Sequence, residues 1–120
     1  YINFLASQKN DLEFTIDFIK KKTSEKNKLL CIPYCSFMNY LTERRNASYF
    51  GFFYKFNKAD QGRVIADLKN NSNSIILIQK PSLIEKEANY EDDNINLLKQ
   101  FILTNYKLIK KTENFYLFGK

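Results

Sequence analysis

Short unbroken apolar runs alternate along the chain with longer stretches in which apolar residues recur every three or four positions. This pattern predicts strands separated by amphipathic helices. Asn10, followed three residues later by Glu13, has the capping-box spacing that opens a helix. On that helix Leu12, Ile16 and Ile19 share a face, Phe14 and Phe18 widen it, and Lys20, Lys21 and Lys22 fill the last turn, where cations complement the helix dipole. A polar stretch over 23–27 leads into Leu29-Leu30-Cys31-Ile32, which stops at Pro33. Apolarity without alternation predicts a strand covered on both faces, as in a parallel sheet. Residues 36–41 then predict a short helix packing Phe37, Met38 and Leu41 inward.

Residues 42–48 form a polar turn, and the aromatic run over 49–54 reads as a strand or an aromatic loop. A helix over 59–70 places Val64, Ile65 and Leu68 inward, with Asn70-Asn71 as a left-handed stop. The clearest buried strand covers 74–79 and ends before Pro81. Residues 82–92 are acidic and aperiodic; Asp93 then caps a helix carrying Ile95, Leu98, Phe101 and Ile102 on one face. Two β-patterned runs, 106–111 and 115–118, flank Thr112-Glu113-Asn114 as a hairpin. The predicted class is α/β: a small mixed, mainly parallel sheet flanked by helices, ending in a β-hairpin, with a right-handed crossover between the two strong strands.

At 120 residues the chain fits one domain, and a hydrophobic share of 44% is that of a folded protein, not a disordered one. The net charge of +6 admits nucleic acid, an anionic membrane surface or a phosphate-bearing ligand as partner. It is a polarity between faces: lysines gather at 20–22, 26, 28, 107, 110 and 111, and acids at Glu85, Glu87, Glu91, Asp92 and Asp93. Each run also reads as plain solvated surface. No segment reaches the roughly 20 apolar residues of a membrane helix, and no signal-peptide pattern opens the chain. Without a start methionine, the sequence is expected to be part of something longer.

No histidine is present, which removes Ser-His-Asp and Cys-His catalysis and the ordinary His-ligated metal sites. Cys31 and Cys35 are half a zinc site at best. A disulfide between them would close a very short loop against Pro33, so two small buried hydrophobes are expected. The turn after the first strand, Pro33-Tyr34-Cys35-Ser36-Phe37, holds no glycine for a nucleotide phosphate to approach. Asp92-Asp93 and Glu85 with Glu87 are dense enough for paired-carboxylate chemistry, but capping and solubility explain them. We therefore expect no catalytic residue, no metal ligand and no cofactor in this chain. Lysines interleaved with rings, from Tyr106-Lys107 to Phe115-Tyr116, could track nucleic-acid phosphates and stack bases, yet the hairpin rings are wanted by the core. Arginines in Tyr40-Leu41-Thr42-Glu43-Arg44-Arg45, set at the C-terminal edge of the sheet, could grip a phosphate or carboxylate through forked hydrogen bonds. The alternative is a solvated turn with Arg44 salt-bridged to a neighbour. Tyr40, Arg44 and Arg45 are the candidate contact residues.

The order of features also resembles a known family. A strand ending in proline precedes Asn39-Tyr40-Leu41-Thr42-Glu43-Arg44 and Ser48-Tyr49-Phe50; a helix then leads through Ile65-Ala66-Asp67-Leu68-Lys69 to Ile75-Ile76-Leu77-Ile78; Phe101-Ile102-Leu103-Thr104-Asn105-Tyr106-Lys107-Leu108-Ile109 and Phe115-Tyr116-Leu117-Phe118 close the chain. Residues 28–120 are similar in this respect to the C-terminal soluble domain of bacterial polytopic glycosyltransferases related to the dolichyl-phosphate-mannose protein mannosyltransferases. The family pattern has glycine before the arginine and proline in the next turn, where this chain has Glu43 and Ala47-Ser48. The resemblance implies residues 1–9 as the tail of a membrane-proximal segment and 10–120 as one extracytoplasmic domain of a bacterial membrane enzyme. That enzyme would move a sugar from a polyprenyl-phosphate carrier to a lipid, glycan or protein acceptor. The family's catalytic acids lie beside an early membrane helix and correspond to no position here. The implied partners are the transmembrane part of the same polypeptide and the lipid-linked sugar or glycan acceptor. The alternative is a free-standing basic module binding nucleic acid or another anionic partner.

Overall fold

The computed structural model describes residues 2–32, 35–48, 57–80 and 91–120, and the side chains of these except for 2–8 and 91–95. In chain order the described elements are α1 (Ile2–Lys22), β1 (Leu29–Ile32), α2 (Phe37–Thr42), α3 (Lys58–Asn70), β2 (Ile75–Gln79), α4 (Glu91–Asn105), β3 (Lys107–Lys111) and β4 (Phe115–Gly119). The strands form one sheet in the order β1-β2-β4-β3. The expected α/β class is present, with helices on both faces and the hairpin at the end of the chain. The sheet is not mainly parallel, however: β1 and β2 pair parallel, whereas β4 pairs antiparallel with both β2 and β3. The hairpin returns beside β2 and converts the outer half of the sheet to antiparallel.

Successive residues of the two parallel strands serve opposite faces, which is why neither alternates with polar residues. Leu30, Ile32 and Ile76 join Val64 and Leu68 of α3 and Leu98 and Ile102 of α4 in one core cluster. Leu29, Cys31, Ile75 and Leu77 join Ile19 of α1 and Met38 of α2 in the other, against which Leu12, Ile16 and Phe18 pack. The molecule is thus a helix layer, a sheet and a second helix layer.

Several local expectations are corrected. Helix α1 begins by Ile2 rather than at Asn10, so residues 2–9 are continuous with the domain's first helix. The segment before Asn10 contains no proline or glycine to stop a helix, and the Asp11 side chain, next to the supposed cap, is turned toward the β3–β4 turn. In α2, Met38 is buried as expected, but Phe37 and Leu41 are exposed and Thr42 is buried in their place. Helix α3 starts one residue before the expected position because Asn57 and Asp60 form a full capping box, with the Asp60 N–H donating to Asn57 Oδ1 at 2.8 Å and the Asn57 N–H to Asp60 Oδ2 at 3.2 Å. It ends on Asn71 at φ −125°, not on a left-handed residue. Helix α4 begins at Glu91, ahead of the expected Asp93 cap. The aromatic run over 49–54 and the acidic stretch over 82–90 lie outside the described residues.

Cys31 and Cys35 are both buried, but as a disulfide and not as free thiols. The end of β1 and the approach to α2 bring their Cα atoms to 5.3 Å, within the span a disulfide bridges. The shortness of the loop is no obstacle once the flanking elements set that distance.

Candidate functional site

The candidate residues sit where α1, α2 and the segment 43–48 meet the start of β1. Arg45 O accepts from the Leu29 N–H at 2.8 Å, and the Ala47 N–H donates to Leu29 O at 3.2 Å, so this segment runs beside the N-terminal end of β1. That corrects the expected placement at the C-terminal edge of the sheet. Helix α2 has 6 residues, about 9 Å at the usual helical rise, enough to carry the chain back along a four-residue strand.

Helix α2 stops at Glu43, which adopts a left-handed conformation (φ 57°, ψ 41°). From there the Glu43 N–H donates to Tyr40 O at 3.2 Å and the Arg44 N–H to Asn39 O at 3.0 Å, satisfying carbonyls that the helix end would leave open. The Asn39 side chain locks the turn to the sheet: its Nδ2 donates to Leu29 O at 2.8 Å and to Arg44 O at 3.1 Å. The Glu43 carboxylate points outward to Lys20 Nζ at 2.9 Å. The hydrogen bond from Lys20, then its charge, holds the Glu43 carboxyl below its ordinary pKa.

Arg44 is only 7% exposed. Its Nε donates to Thr23 Oγ1 at 3.2 Å, Nη2 to Thr23 O at 3.1 Å, and Nη1 to Thr42 O at 3.0 Å and Glu43 O at 3.4 Å. The guanidinium is clamped between the C-terminal ends of α1 and α2, where the carbonyl dipoles present partial negative charge. It is not the solvated, salt-bridged arginine of the plain alternative: its hydrogen bonds run to Thr23, Thr42 and Glu43. Arg45 is exposed and lines a shallow groove with Glu25, Lys26, Lys28 and Glu43. Tyr40 is 84% exposed, its ring in solvent. The three candidates therefore separate into one inward clamp and two outward side chains.

A second groove adjoins the first through Lys28 and is lined also by Asn46, Ala47, Ser48, Asp67 and Asn71. Ser48 Oγ donates to Asp67 Oδ2 at 2.7 Å, and Asn71 Nδ2 to Asp67 O at 2.8 Å. This tie between the 46–48 segment and α3 has no local signal in the sequence. Among the described residues no group of three or more Cys, Asp or Glu could hold a metal ion, and no helix is long and apolar enough to cross a membrane. Glu85 and Glu87, and the side chains of Asp92 and Asp93, lie outside what is described.

The rings that could stack bases are largely committed elsewhere. Tyr106 and Phe115 are buried, and Tyr116 lies beneath Lys80 Nζ at 4.8 Å and Lys111 Nζ at 5.7 Å. Burial also pushes the Tyr106 phenol pKa up. No family model, curated protein or solved structure matches the chain.

Proposed function

We propose that this chain is the non-catalytic extracytoplasmic domain of a bacterial integral-membrane glycosyltransferase using a polyprenyl-phosphate-linked sugar donor. The observation that carries this reading is the backbone at Glu43. The family pattern has glycine immediately before the arginine, and the residue in that place here is in the left-handed region that favours glycine. Arg44 then enters the clamp between two helix ends, which gives an arginine at that step a structural purpose. The Cys31–Cys35 disulfide independently favours an oxidising compartment, as on the outer side of a bacterial membrane.

In this reading the domain is a scaffold, and the reactive carboxylates belong to the transmembrane part of the same polypeptide. Tyr40 and Arg45 both face solvent, which supports them as the residues that would meet an acceptor or a headgroup phosphate in this reading. The test is reconstitution of the full-length protein in lipid with a polyprenyl-phosphate-linked sugar. The reading frame upstream of Tyr1 is expected to encode several apolar spans of about 20 residues. The full-length protein is expected to transfer sugar, the chain 1–120 alone is not, and Tyr40→Ala with Arg45→Ala is expected to slow transfer without changing the melting temperature. A frame lacking membrane spans, or glycosyl transfer by the isolated chain, overturns the proposal.

A further inference from the structure

We propose that the groove between Lys28, the 46–48 segment and the end of α3 binds a saccharide through its hydroxyl groups, which makes the acceptor of the proposed transfer a glycan. The role of acceptor rests on the function proposed above; the choice of groove and of ligand rests on the lining. Lys28, Asn46, Ala47, Ser48, Asp67 and Asn71 line a space of about 360 Å³, within the range of small-molecule sites. The backbone behind these side chains is pinned. Lys28 O accepts from the Ile75 N–H at 2.8 Å, and Asn46 is bridged to Leu29. The Asn71 N–H donates to Leu68 O at 3.2 Å, and its carbonyl accepts from the Ser74 N–H at 3.0 Å. The groove is thus built on the sheet and on the ends of its neighbours, which hold a site more precisely than free loops do.

Three of the side chains are each anchored by one atom and keep another in reserve. Asp67 Oδ2 accepts from Ser48 Oγ at 2.7 Å, Asn46 Oδ1 accepts from the Ser48 N–H at 3.2 Å, and Asn71 Nδ2 donates to Asp67 O at 2.8 Å. Among the described residues, Asp67 Oδ1, Asn71 Oδ1, Asn46 Nδ2 and Lys28 Nζ enter no hydrogen bond or ion pair. One groove therefore holds two acceptors and two donors on side chains whose orientation is already fixed. A sugar hydroxyl both donates and accepts, so it is satisfied where a donor stands near an acceptor. Neighbouring hydroxyls on one ring use several such pairs together.

The lining disfavours other ligand classes. It carries one lysine and one carboxylate, whose charges cancel and leave no field to attract a nucleic-acid phosphate. One carboxylate does not make a metal site, and among the described residues no group of three or more metal-binding side chains occurs. Ala47 is the one apolar residue among the described residues of the lining, too little to anchor a peptide side chain. Uncharged, hydroxyl-rich chemistry is what the remaining groups match.

The test is a nitrogen–proton correlation NMR titration of the chain 1–120 with mannose, glucose, galactose and N-acetylglucosamine in turn, against glycerol at equal hydroxyl concentration. At least one sugar is expected to shift the Asn46 and Asn71 side-chain amides and the Lys28 and Ser48 backbone amides, saturating with a Kd on the order of 1–10 mM. Glycerol is expected to give no saturable shift. Two near-isosteric variants keep the anchoring oxygen and change the atom held in reserve. Asp67→Asn and Asn46→Asp are each expected to weaken binding by about threefold to tenfold, with amides away from the groove unshifted. Lys107→Ala with Lys111→Ala, on β3, is expected to bind within about twofold of the parent chain. No saturable shift with any of the four sugars, shifts confined to other surfaces such as that of Tyr40, or parental affinity in both groove variants overturns the proposal. Full-length protein that transfers sugar with the parental KM for its acceptor in both groove variants removes the groove alone. Saccharide binding by a chain whose gene encodes no membrane spans keeps the groove and removes the glycosyltransferase reading.

Discussion

A buried guanidinium needs both hydrogen-bond acceptors and a counter-field, and Arg44 obtains both from helix ends. Thr42 O and Thr23 O belong to the C-terminal turn of α2 and the residue just past α1, where open carbonyls and the negative end of the dipole coincide. Removing the side chain leaves those carbonyls buried without donors. Arg44→Ala is therefore expected to destabilise the chain by about 2–4 kcal/mol. Arg44→Lys is expected to recover little, since one ammonium cannot span acceptors that a planar fork reaches together. Arg45→Ala, at an exposed site, should stay within about 0.5 kcal/mol of the parent chain. Urea unfolding of the three variants checks this order, and equal stability of Arg44→Ala and Arg45→Ala would return Arg44 to the surface. The pair also shows how far a motif can be read. Two adjacent arginines after a strand indicate a place where cations gather, but not which of them turns inward, because that depends on where α1 ends.

At the scale of elements, the first helix and the last hairpin are joined by one carboxylate. Asp11 accepts from Thr112 Oγ1 at 3.1 Å, from the Glu113 and Asn114 N–H groups at 3.1 and 3.0 Å, and from Asn114 Nδ2 at 3.1 Å. Thr15 Oγ1, one turn along, approaches Thr112 Oγ1 at 3.5 Å, and Lys80 Nζ donates to Thr112 O at 2.6 Å. Asp11→Ala strands several turn donors and is expected to cost about 2–3 kcal/mol, with faster amide exchange at Glu113 and Asn114. Exchange unchanged at those amides would show that the turn stands without α1. Asp11 was illegible from sequence because Asn10-Asp11-Leu12-Glu13 has the spacing of a helix start, and its true partners lie at the other end of the chain. The broad element pattern is legible locally, whereas the helix start at Asn10 and the inward faces of Phe37 and Leu41 are local readings that the structure corrects. The unbroken apolar runs gave β1 and β2, the apolar faces gave α3 and α4, and the β-patterned runs around 112–114 gave the hairpin. The direction of the sheet was not local information, since a hairpin is antiparallel within itself whichever strand it docks against. The disulfide was missed for a similar reason: the Cα separation of Cys31 and Cys35 is set by how β1 and α2 pack, and not by the residues between them.

For the whole molecule the decisive feature is that one thin sheet carries two cores. Leu30, Ile32 and Ile76 face α3 and α4, while their immediate neighbours Leu29, Cys31, Ile75 and Leu77 face α1 and α2. Neither helix layer can leave without exposing a sheet face whose opposite side supports the other, so the two cores should melt as one. Ile19, on one side, and Leu98, on the other, are both fully buried and belong to different clusters. Ile19→Ala and Leu98→Ala are each expected to cost about 2–4 kcal/mol. Each should shift a single transition that far-ultraviolet dichroism and tyrosine fluorescence report at the same temperature. Tyr106, buried among the residues of the α3–α4 side, makes fluorescence sensitive to that face, whereas Ile19 lies on the other. If Ile19→Ala lowers the dichroism midpoint and leaves the tyrosine midpoint in place, the layers unfold separately and the sheet does not couple them. Coincident shifts in both variants, with the double variant near the sum of the singles, would mean that the two clusters touch only through the shared strands.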